Sequence, residues 1–357
     1  MSLPLAMHMA DGLLSKEVAF VTLLLAGAAL ALASRKGRSL AAEKMPVMGV
    51  MGAFVFAAQM INFPILPGVS GHLAGGVLLA IVLGPWAAVI VMAAVLIVQS
   101  LLFQDGGLLA LGCNIINMGV VPCLLGAWIY RHVGAGANAR PWRRYLATWA
   151  ACLAGVTAGA ALVPLEVYAS GVLQIPLGRF TAVMIGLHLL IALVEGLITF
   201  TVLAYLQRVR PAVLGQACPE GALPCAALNI KAVAASIIIT ALFLAGVVSW
   251  FASPHDDGLE AALQSQHSPA AQATTDPLVQ SVQAWHEKIA PMPDYSLGGA
   301  AGAAEEEVYP KVDARGSVAG IIGTIATLAL LLGVSIVLKR PRGRGARRGA
   351  APLGDAV

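Results

Sequence analysis

Two histidines lie beside apolar segments in a pattern typical of metal chelation. His8 stands in the hexapeptide Met7–Gly12, and His72 stands in the tetrapeptide Ser70–Leu73. A histidine that follows a free amino terminus can bind an ion through the terminal amine, its own amide nitrogen and its imidazole. One further imidazole, such as that of His72, completes a square of four nitrogens, the geometry that suits Ni(II) or Cu(II). The sequence therefore contains the donors for a square nitrogen site.

The position of Met7 sets a condition on this chemistry. Six residues precede Met7, so its amine is a donor only if the mature chain begins there. Otherwise His8 is an internal imidazole and the square loses two ligands. The alternative interpretation is that His8 and His72 are membrane-edge histidines that bind no metal.

Four more polar residues lie within apolar segments. Asn114 and Asn117 are three residues apart on one helical face, and His188 and Glu195 are seven apart, two turns along another. Amides and ionisable groups within a membrane need partners, and ionisable ones often mark function. Two interpretations stay open: a structural hydrogen-bond network that joins His188 and Glu195 to an asparagine, or contact with a bound ion. Support that orients the metal ligands lies between these two.

The elements that must position these residues are membrane helices. Of the 357 residues, 59% are apolar and 11% are charged, and the mean hydropathy is +0.82. A soluble globular protein carries about 25% charged residues, so the composition excludes that class, and it also excludes a disordered chain. The basic residues lie between apolar segments rather than in one stripe, so we expect no nucleic-acid partner. The predicted fold class is an all-α polytopic membrane protein.

Nine apolar segments are candidates to cross the bilayer, which takes about 20 residues. They are Val18–Ser34, Val47–Phe63, Leu73–Leu83, Trp86–Phe103, Leu108–Tyr130, Tyr145–Ala169, Phe180–Leu206, Ala232–Ala252 and Ser317–Leu338. The segment Leu73–Leu83 is short and ends at Gly84-Pro85, which predicts a tilted or broken helix. With alternating crossings, 17 of the 22 basic residues fall on one side. The positive-inside rule then predicts the N-terminus outside and the C-terminus inside.

The loops divide the chain into parts. We expect a seven-helix bundle over residues 1–207 and a cytoplasmic linker over 208–231. In the second part, 232–338, two helices flank a long external segment, 253–316. The tail 339–357 is basic and rich in Gly and Arg, and we expect it to lie near anionic membrane lipid.

The spaced motifs of the bundle resemble those of a known family. They are Met7–Gly12, Ser70–Leu73, the Gly-x-Asn-x-x-Asn-Met-Gly segment at 112–119, and His188-x6-Glu195. Together they closely resemble the substrate-capture membrane component of energy-coupling factor (ECF) nickel/cobalt transporters, the CbiM/NikM family. The resemblance covers residues 7–206.

The second part resembles the small PDGLE-type, NikN-like partner subunit, fused here behind the capture component. The similar segments are Asp257-Gly258-Leu259-Glu260 and Pro293-Asp294-Tyr295, followed by a final apolar helix. Asp256 stands where that motif usually has proline.

This resemblance implies a non-catalytic transport subunit of the bacterial inner (plasma) membrane, which imports Ni(II) or Co(II) as its substrate. Its partners would be a coupling transmembrane subunit and two cytoplasmic ATPases. The chain itself has no GxxxxGK(S/T) loop to bind ATP phosphates. The implied metal ligands are Met7, His8 and His72. The implied supporting residues are Asn114, Asn117, His188, Glu195 and Asp11.

Other functions stay open on the sequence alone. A stand-alone permease could couple divalent-cation import to protons through His188 and Glu195. A membrane enzyme could use Glu166 with those two residues as acid–base groups, although no nucleophile motif accompanies them. A scaffold subunit would bind no metal. Within the ECF class, the PDGLE-like part and the nitrogen square favour nickel over a cobalt component that supplies cobalamin synthesis.

Overall fold

Apolar helices dominate the structure, a computed structural model. It describes residues 8–37, 45–133, 140–172, 175–209, 214, 230–265, 276–297, 310 and 312–338. Within these residues, six helices are long and apolar enough to cross a membrane, and two shorter apolar helices accompany them. The predicted all-α, multi-pass membrane fold is confirmed.

The helices follow the predicted apolar segments. In chain order they are α1 Lys16–Gly37, α2 Met45–Gln59, α3 Gly76–Leu83, α4 Pro85–Phe103, α5 Leu111–Asn114, α6 Val121–His132, α7 Pro141–Ser170, α8 Leu177–Val209, α9 Ile230–Gly246, α10 Gly258–Gln264, α11 Pro277–Ile289 and α12 Ala314–Leu338. A six-residue π-helical turn, Ile115–Val120, joins α5 to α6, so these three pieces form one span. Single π-helical turns inside α-helices occur frequently at functional sites.

The predicted break in the third segment lies between α3 and α4. Gly84 has a φ of +93°, a conformation that glycine adopts at little cost. Pro85 begins α4, where its missing N–H removes no helical hydrogen bond. Seven of the eight residues of α3 are buried, and its length is only about 12 Å at 1.5 Å per residue. This helix is therefore a short buried element inside the bundle.

The predicted end of the second span is wrong. The second span was expected to run to Phe63, whereas α2 ends at Gln59 and Phe63 begins a strand. Strand β1, Phe63–Leu66, pairs antiparallel with β2, Val69–Gly71. Pro64 explains the difference, because proline disfavours helical conformation in the residue before it and lacks the N–H that a helix needs.

The two parts of the chain share one apolar core. Helices α9 and α12 of the second part pack against α2. Ala245 of α9 and Leu331 of α12 are fully buried in the same cluster as Met51 of α2 and Leu79 of α3. Helix α9 ends at Gly246, six residues before the predicted end of its apolar segment.

The second part also closes over one end of the bundle. The amide of Ser253 donates to the carbonyl of Asn62 at 2.7 Å, just after α2. The amide of Met292 donates to the carbonyl of Leu102 at 3.1 Å, at the end of α4. The amino-terminal segment and the hairpin lie at this same end, where the candidate histidines are found.

Candidate metal site

A carboxylate fixes the His8 ring and leaves one ring nitrogen free. The Nδ1 atom lies 2.7 Å from Oδ1 of Asp105, and His8 is only 2% exposed. Burial alone would raise the pKa of Asp105, but His8 and the Tyr295 hydroxyl outweigh burial and hold this pKa below its ordinary value. Because an ionised carboxylate only accepts, Nδ1 carries a proton and donates this hydrogen bond, and the other ring nitrogen is Nε2. That Nε2 is buried and has no hydrogen-bond partner among the described residues.

His72 presents its Nε2 in the same way. Its Nδ1 lies 3.2 Å from the carbonyl oxygen of Leu73, which only accepts, so Nδ1 carries the proton. Burial, followed by the charge of His8, lowers the pKa of His72 to about 4, and the ring is neutral at pH 7. The centroids of the two imidazole rings are 5.4 Å apart. The two imidazoles are thus neighbours in one largely buried region.

The two rings line a cavity of about 80 Å³. This volume exceeds the roughly 10–15 Å³ that one water requires, so it has room for an ion with water. Other polar or sulfur-bearing lining residues are Met9, Asn114, Asn117, Met118, Met184, His188 and Asp257. Within the described part of the chain, no three His, Cys, Asp or Glu side chains converge as a metal cluster. A complete site therefore needs main-chain nitrogens or a movement of side chains.

Asn114 holds the main chain directly after His8. The Met9 amide donates to Oδ1 of Asn114 at 3.0 Å, and Nδ2 of Asn114 donates to the Met9 carbonyl at 3.2 Å. Asn114 ends α5, immediately before the π-helical turn. This is the geometry of a residue that positions the amino-terminal segment. Met7, the predicted amine ligand, lies outside the described residues.

Asn117 has a carboxylate partner on another helix. Its Nδ2 donates to Oε2 of Glu166 at 2.7 Å and lies 3.8 Å from the sulfur of Met9. Its Oδ1 is buried without a hydrogen-bond partner among the described residues. Asn117 therefore connects α7 to the segment that carries His8.

Glu195 holds the segment that carries His72. This fully buried residue of α8 accepts from the amides of Ala74 at 2.8 Å and Gly75 at 3.2 Å. Both amides lie between His72 and the start of α3. Glu195 is thus a positioning residue for the second imidazole.

His188 lines the cavity from the same helix as Glu195. Its Nδ1 lies 2.8 Å from the carbonyl of Met184 in its own helix. The interpretation in which His188 and Glu195 hydrogen-bond to Asn114 or Asn117 is wrong, since the hydrogen bonds of these residues go to the other partners described above.

Asp11 lies outside the cavity and anchors the amino-terminal segment. Its Oδ1 accepts from the amides of Leu109 at 2.8 Å and Ala110 at 2.9 Å. Burial raises the pKa of Asp11, and these two hydrogen bonds oppose that effect. Asp11 therefore connects the residues after His8 to the residues before α5.

The sequence analysis did not identify three residues that belong to the site. Asp105 contacts His8, and the hydroxyl of Tyr295 donates to the other oxygen of Asp105 at 2.7 Å. Asp257 lies 3.8 Å from Nε2 of His72. Two features of the sequence point to these residues. Asp105 is a lone carboxylate after a long apolar helix, and Asp257 and Tyr295 belong to the two short motifs of the second part.

The fold and the site together define a multi-pass membrane protein with an imidazole-lined cavity at one end of its bundle. Residues 8–213 match the CbiM family, described as a cobalt uptake substrate-specific transmembrane region, and residues 231–340 match the PDGLE domain.

Individual relatives and a solved structure agree with these matches. A NikMN protein of Archaeoglobus fulgidus is 32% identical over 91% of this chain and 96% of its own length. The fused nickel transport protein NikMN of Rhodobacter capsulatus is 34% identical over 58% of this chain and 64% of its own. A crystal structure of a truncated transition metal transporter covers 56% of this chain and 98% of its own, with 31% identity and a TM-score of 0.50.

The chain therefore belongs to the CbiM/NikM family of membrane transport components, with a PDGLE-type, NikN-like domain fused behind the family's transmembrane region. The resemblance seen in the sequence motifs is confirmed.

Proposed function

We propose that this protein is the substrate-capture membrane component of an ATP-driven ECF transporter that imports Ni(II), with Co(II) as the alternative substrate. One observation carries the proposal: His8 and His72 line one cavity, and the buried Nε2 of His8 has no hydrogen-bond partner among the described residues. A buried polar atom without a partner costs roughly 1–3 kcal/mol. A bound divalent ion removes that cost and is the natural occupant.

The distance between the rings supports a shared ion. Two imidazoles bound through Nε2 at about 2 Å from one ion have centroids at most about 6 Å apart. The observed separation of 5.4 Å falls within that limit. In the proposed site the Met7 amine adds a third nitrogen. While Asp105 holds Nδ1 of His8, the His8 amide cannot join the ring on the same ion, because only Nδ1 closes a chelate ring with its own amide, so the fourth position is left to another ligand. Binding then releases protons, so the affinity falls as the solution becomes more acidic.

The charge distribution supports an external capture site. The cavity lies at the end of the bundle where few basic residues are found, whereas Arg35, Lys36, Arg131 and Arg208 lie near the opposite helix ends. By the positive-inside rule that opposite end is cytoplasmic. The ion enters from outside, and a coupling subunit with two ATPases supplies the energy that moves it inward.

Nickel is the preferred substrate in this proposal. The A. fulgidus relative, a NikMN protein, aligns with both the capture bundle and the second part. The fused relative from R. capsulatus is named a nickel transport protein. Nitrogen ligands also bind Ni(II) more tightly than Co(II) in the Irving–Williams order, independently of those names.

Metal titration of the purified full chain tests the proposal. His8→Ala and His72→Ala are each expected to abolish tight Ni(II) binding, because each removes one of two imidazole ligands. His132→Ala is the matched control, since His132 is exposed and its ring contacts Trp128 of the same helix. Co(II) is titrated in parallel, and the mass of the amino-terminal peptide shows whether Met7 is the first residue. Equal Ni(II) affinity in all four proteins would overturn the proposal.

A transport measurement tests the energy source. Cells that express the chain with its coupling and ATPase subunits are expected to accumulate nickel, and a variant ATPase without a phosphate-loop lysine is expected to stop accumulation. Uptake by the chain alone would instead support the proton-coupled permease.

A further inference from the structure

The motif at the start of α10 inserts a carboxylate into the cavity that holds the two imidazoles. The amide of Ser70 donates to the carbonyl of Asp256 at 2.8 Å, and Oγ of Ser70 donates to the carbonyl of His255 at 2.7 Å. These hydrogen bonds fix the second part beside strand β2, two residues before His72. Asp257 is only 3% exposed as a result.

A glycine permits this close approach. A Cβ atom at Gly258 would lie 3.1 Å from Cδ1 of Ile191 and 3.2 Å from Cε1 of His188. Both distances are shorter than an ordinary carbon–carbon contact of about 3.5–4.0 Å. The absence of a side chain at Gly258 thus allows the start of α10 to lie against α8 with Asp257 directed at the cavity.

The two carboxylate oxygens of Asp257 have different surroundings. Oδ1 accepts from the amides of Leu259 at 3.0 Å and Glu260 at 2.9 Å, as the N-cap of α10. Glu260 completes a capping box by accepting from the amide of Asp257 at 3.2 Å. These contacts hold the carboxylate in one orientation. Oδ2 is left facing Nε2 of His72 at 3.8 Å.

Nε2 of His72 and Oδ2 of Asp257 face each other at a distance too long for a hydrogen bond. Nε2 of His72 has a free lone pair, because Nδ1 carries the ring proton and donates it to the carbonyl oxygen of Leu73. Two ligand atoms that each lie about 2.1 Å from one divalent ion are between about 3 Å and about 4 Å apart. The separation of 3.8 Å between Nε2 and Oδ2 falls in that range. His8, whose free Nε2 is buried and unpartnered among the described residues, lines the same cavity.

We propose that Asp257 supplies an oxygen ligand, Oδ2, to the captured ion. This inference rests on the proposed function, because it concerns the same ion and the same cavity. The ion binds between Oδ2 and the imidazole nitrogens, and the second part of the chain thereby completes the capture site. A capture bundle without a docked second part lacks this ligand.

The test compares the full-length chain with two substitutions that keep the helix cap. Asn and Ser cap helices about as well as Asp, so Asp257→Asn and Asp257→Ser retain the start of α10. Asp257→Asn removes the charge, and Asp257→Ser also removes the reach toward His72. The matched control is Asp276→Asn, which makes the same change at the N-cap of α11, away from the cavity.

Two measurements are made on each protein with Ni(II) alone as the probe: the dissociation constant against a competing chelator, and the nickel X-ray absorption spectrum. We expect the nickel in both Asp257 variants to have one ligand fewer than in the wild type. We also expect their affinity to fall by about 10- to 100-fold, the range typical of lost support at metal sites. The control should match the wild type in both measurements.

Other results would overturn the inference and are distinguishable from failure of the proposed function. Unchanged spectra and affinity in both variants would show that Asp257 is no ligand. A weaker affinity with an unchanged set of ligands would limit Asp257 to positioning His72. Failure of the proposed function would appear differently, as equal Ni(II) binding by the wild type and His72→Ala.

Discussion

Asp105 offers a sharp test of how the metal site is organised. Its carboxylate accepts from Nδ1 of His8 and from the hydroxyl of Tyr295, each at 2.7 Å. The first contact occupies Nδ1 of His8 and leaves Nε2 as the ring nitrogen that can bind an ion. Carboxylate–histidine pairs of this kind orient metal ligands and increase their basicity. The substitution Asp105→Asn keeps the shape of the side chain and removes its charge.

The expected loss follows from the hydrogen bond to His8. A hydrogen bond to a charged group contributes about 1.5–3 kcal/mol, and a neutral one contributes about 0.5–1.5 kcal/mol. The difference is about 1–2 kcal/mol, and each 1.4 kcal/mol is a factor of ten in affinity, so Ni(II) should bind about 5- to 30-fold more weakly. If the amide turns its NH₂ group toward Nδ1, the proton moves to Nε2 and the loss reaches the upper end of this range.

Competition with a chelator at pH 7 measures this affinity in the purified full chain. Asp313→Asn is a suitable control, because Asp313 accepts from the amide of Arg315 in an exposed hydrogen bond at the start of α12. A thermal melt confirms that each variant is folded. A folded Asp105→Asn protein with wild-type affinity would refute the role assigned to Asp105.

Three further predictions follow from the described contacts. Glu195→Gln should lower the melting temperature and weaken Ni(II) binding, because glutamine has one acceptor oxygen for the two amides that Glu195 binds; a melt and a titration indistinguishable from the wild type would contradict this. Tyr295→Phe should weaken Ni(II) binding by a factor of about five, since a neutral hydrogen bond contributes about 1 kcal/mol and Asp105 loses one; an unchanged dissociation constant would exclude the hydroxyl. Burial lowers the pKa of His72 from 6.5 to about 4, so between these values the unfolded chain binds a proton that the folded chain does not, and stability should fall as the pH decreases through this window. His72→Gln should remove this part of the pH dependence in thermal melts recorded from pH 7 to pH 4.5, and an identical slope would contradict the assignment.

The spanning helices could be predicted because composition decides them. A bilayer requires about 20 apolar residues, and the break before α4 has a local signal in Gly84-Pro85. The hairpin after α2 was missed although Pro64 and the pair Pro67-Gly68 are turn and helix-breaking signals. Those signals were outweighed by the continuous apolar run that precedes them.

The histidines of the site could be predicted, but their partners could not. His8 and His72 lie in short motifs that can be read from neighbouring residues. The contact between His8 and Asp105 joins residues 97 apart, and the hydrogen bond from Ser70 to His255 joins residues 185 apart. Such contacts depend on how the helices pack, and no local pattern specifies that packing. The insertion of Asp257 beside His72 is of this kind.

The central claim is that His8 and His72 bind the same ion, and a double-mutant cycle tests it most directly. Ni(II) affinity is measured for the wild type, His8→Ala, His72→Ala and the double variant, all as full-length chains. If the two imidazoles share one ion, either single substitution removes most of the binding energy and the second adds little, so the effects are strongly non-additive. Additive effects, or two independent nickel sites in the wild type, would contradict the claim.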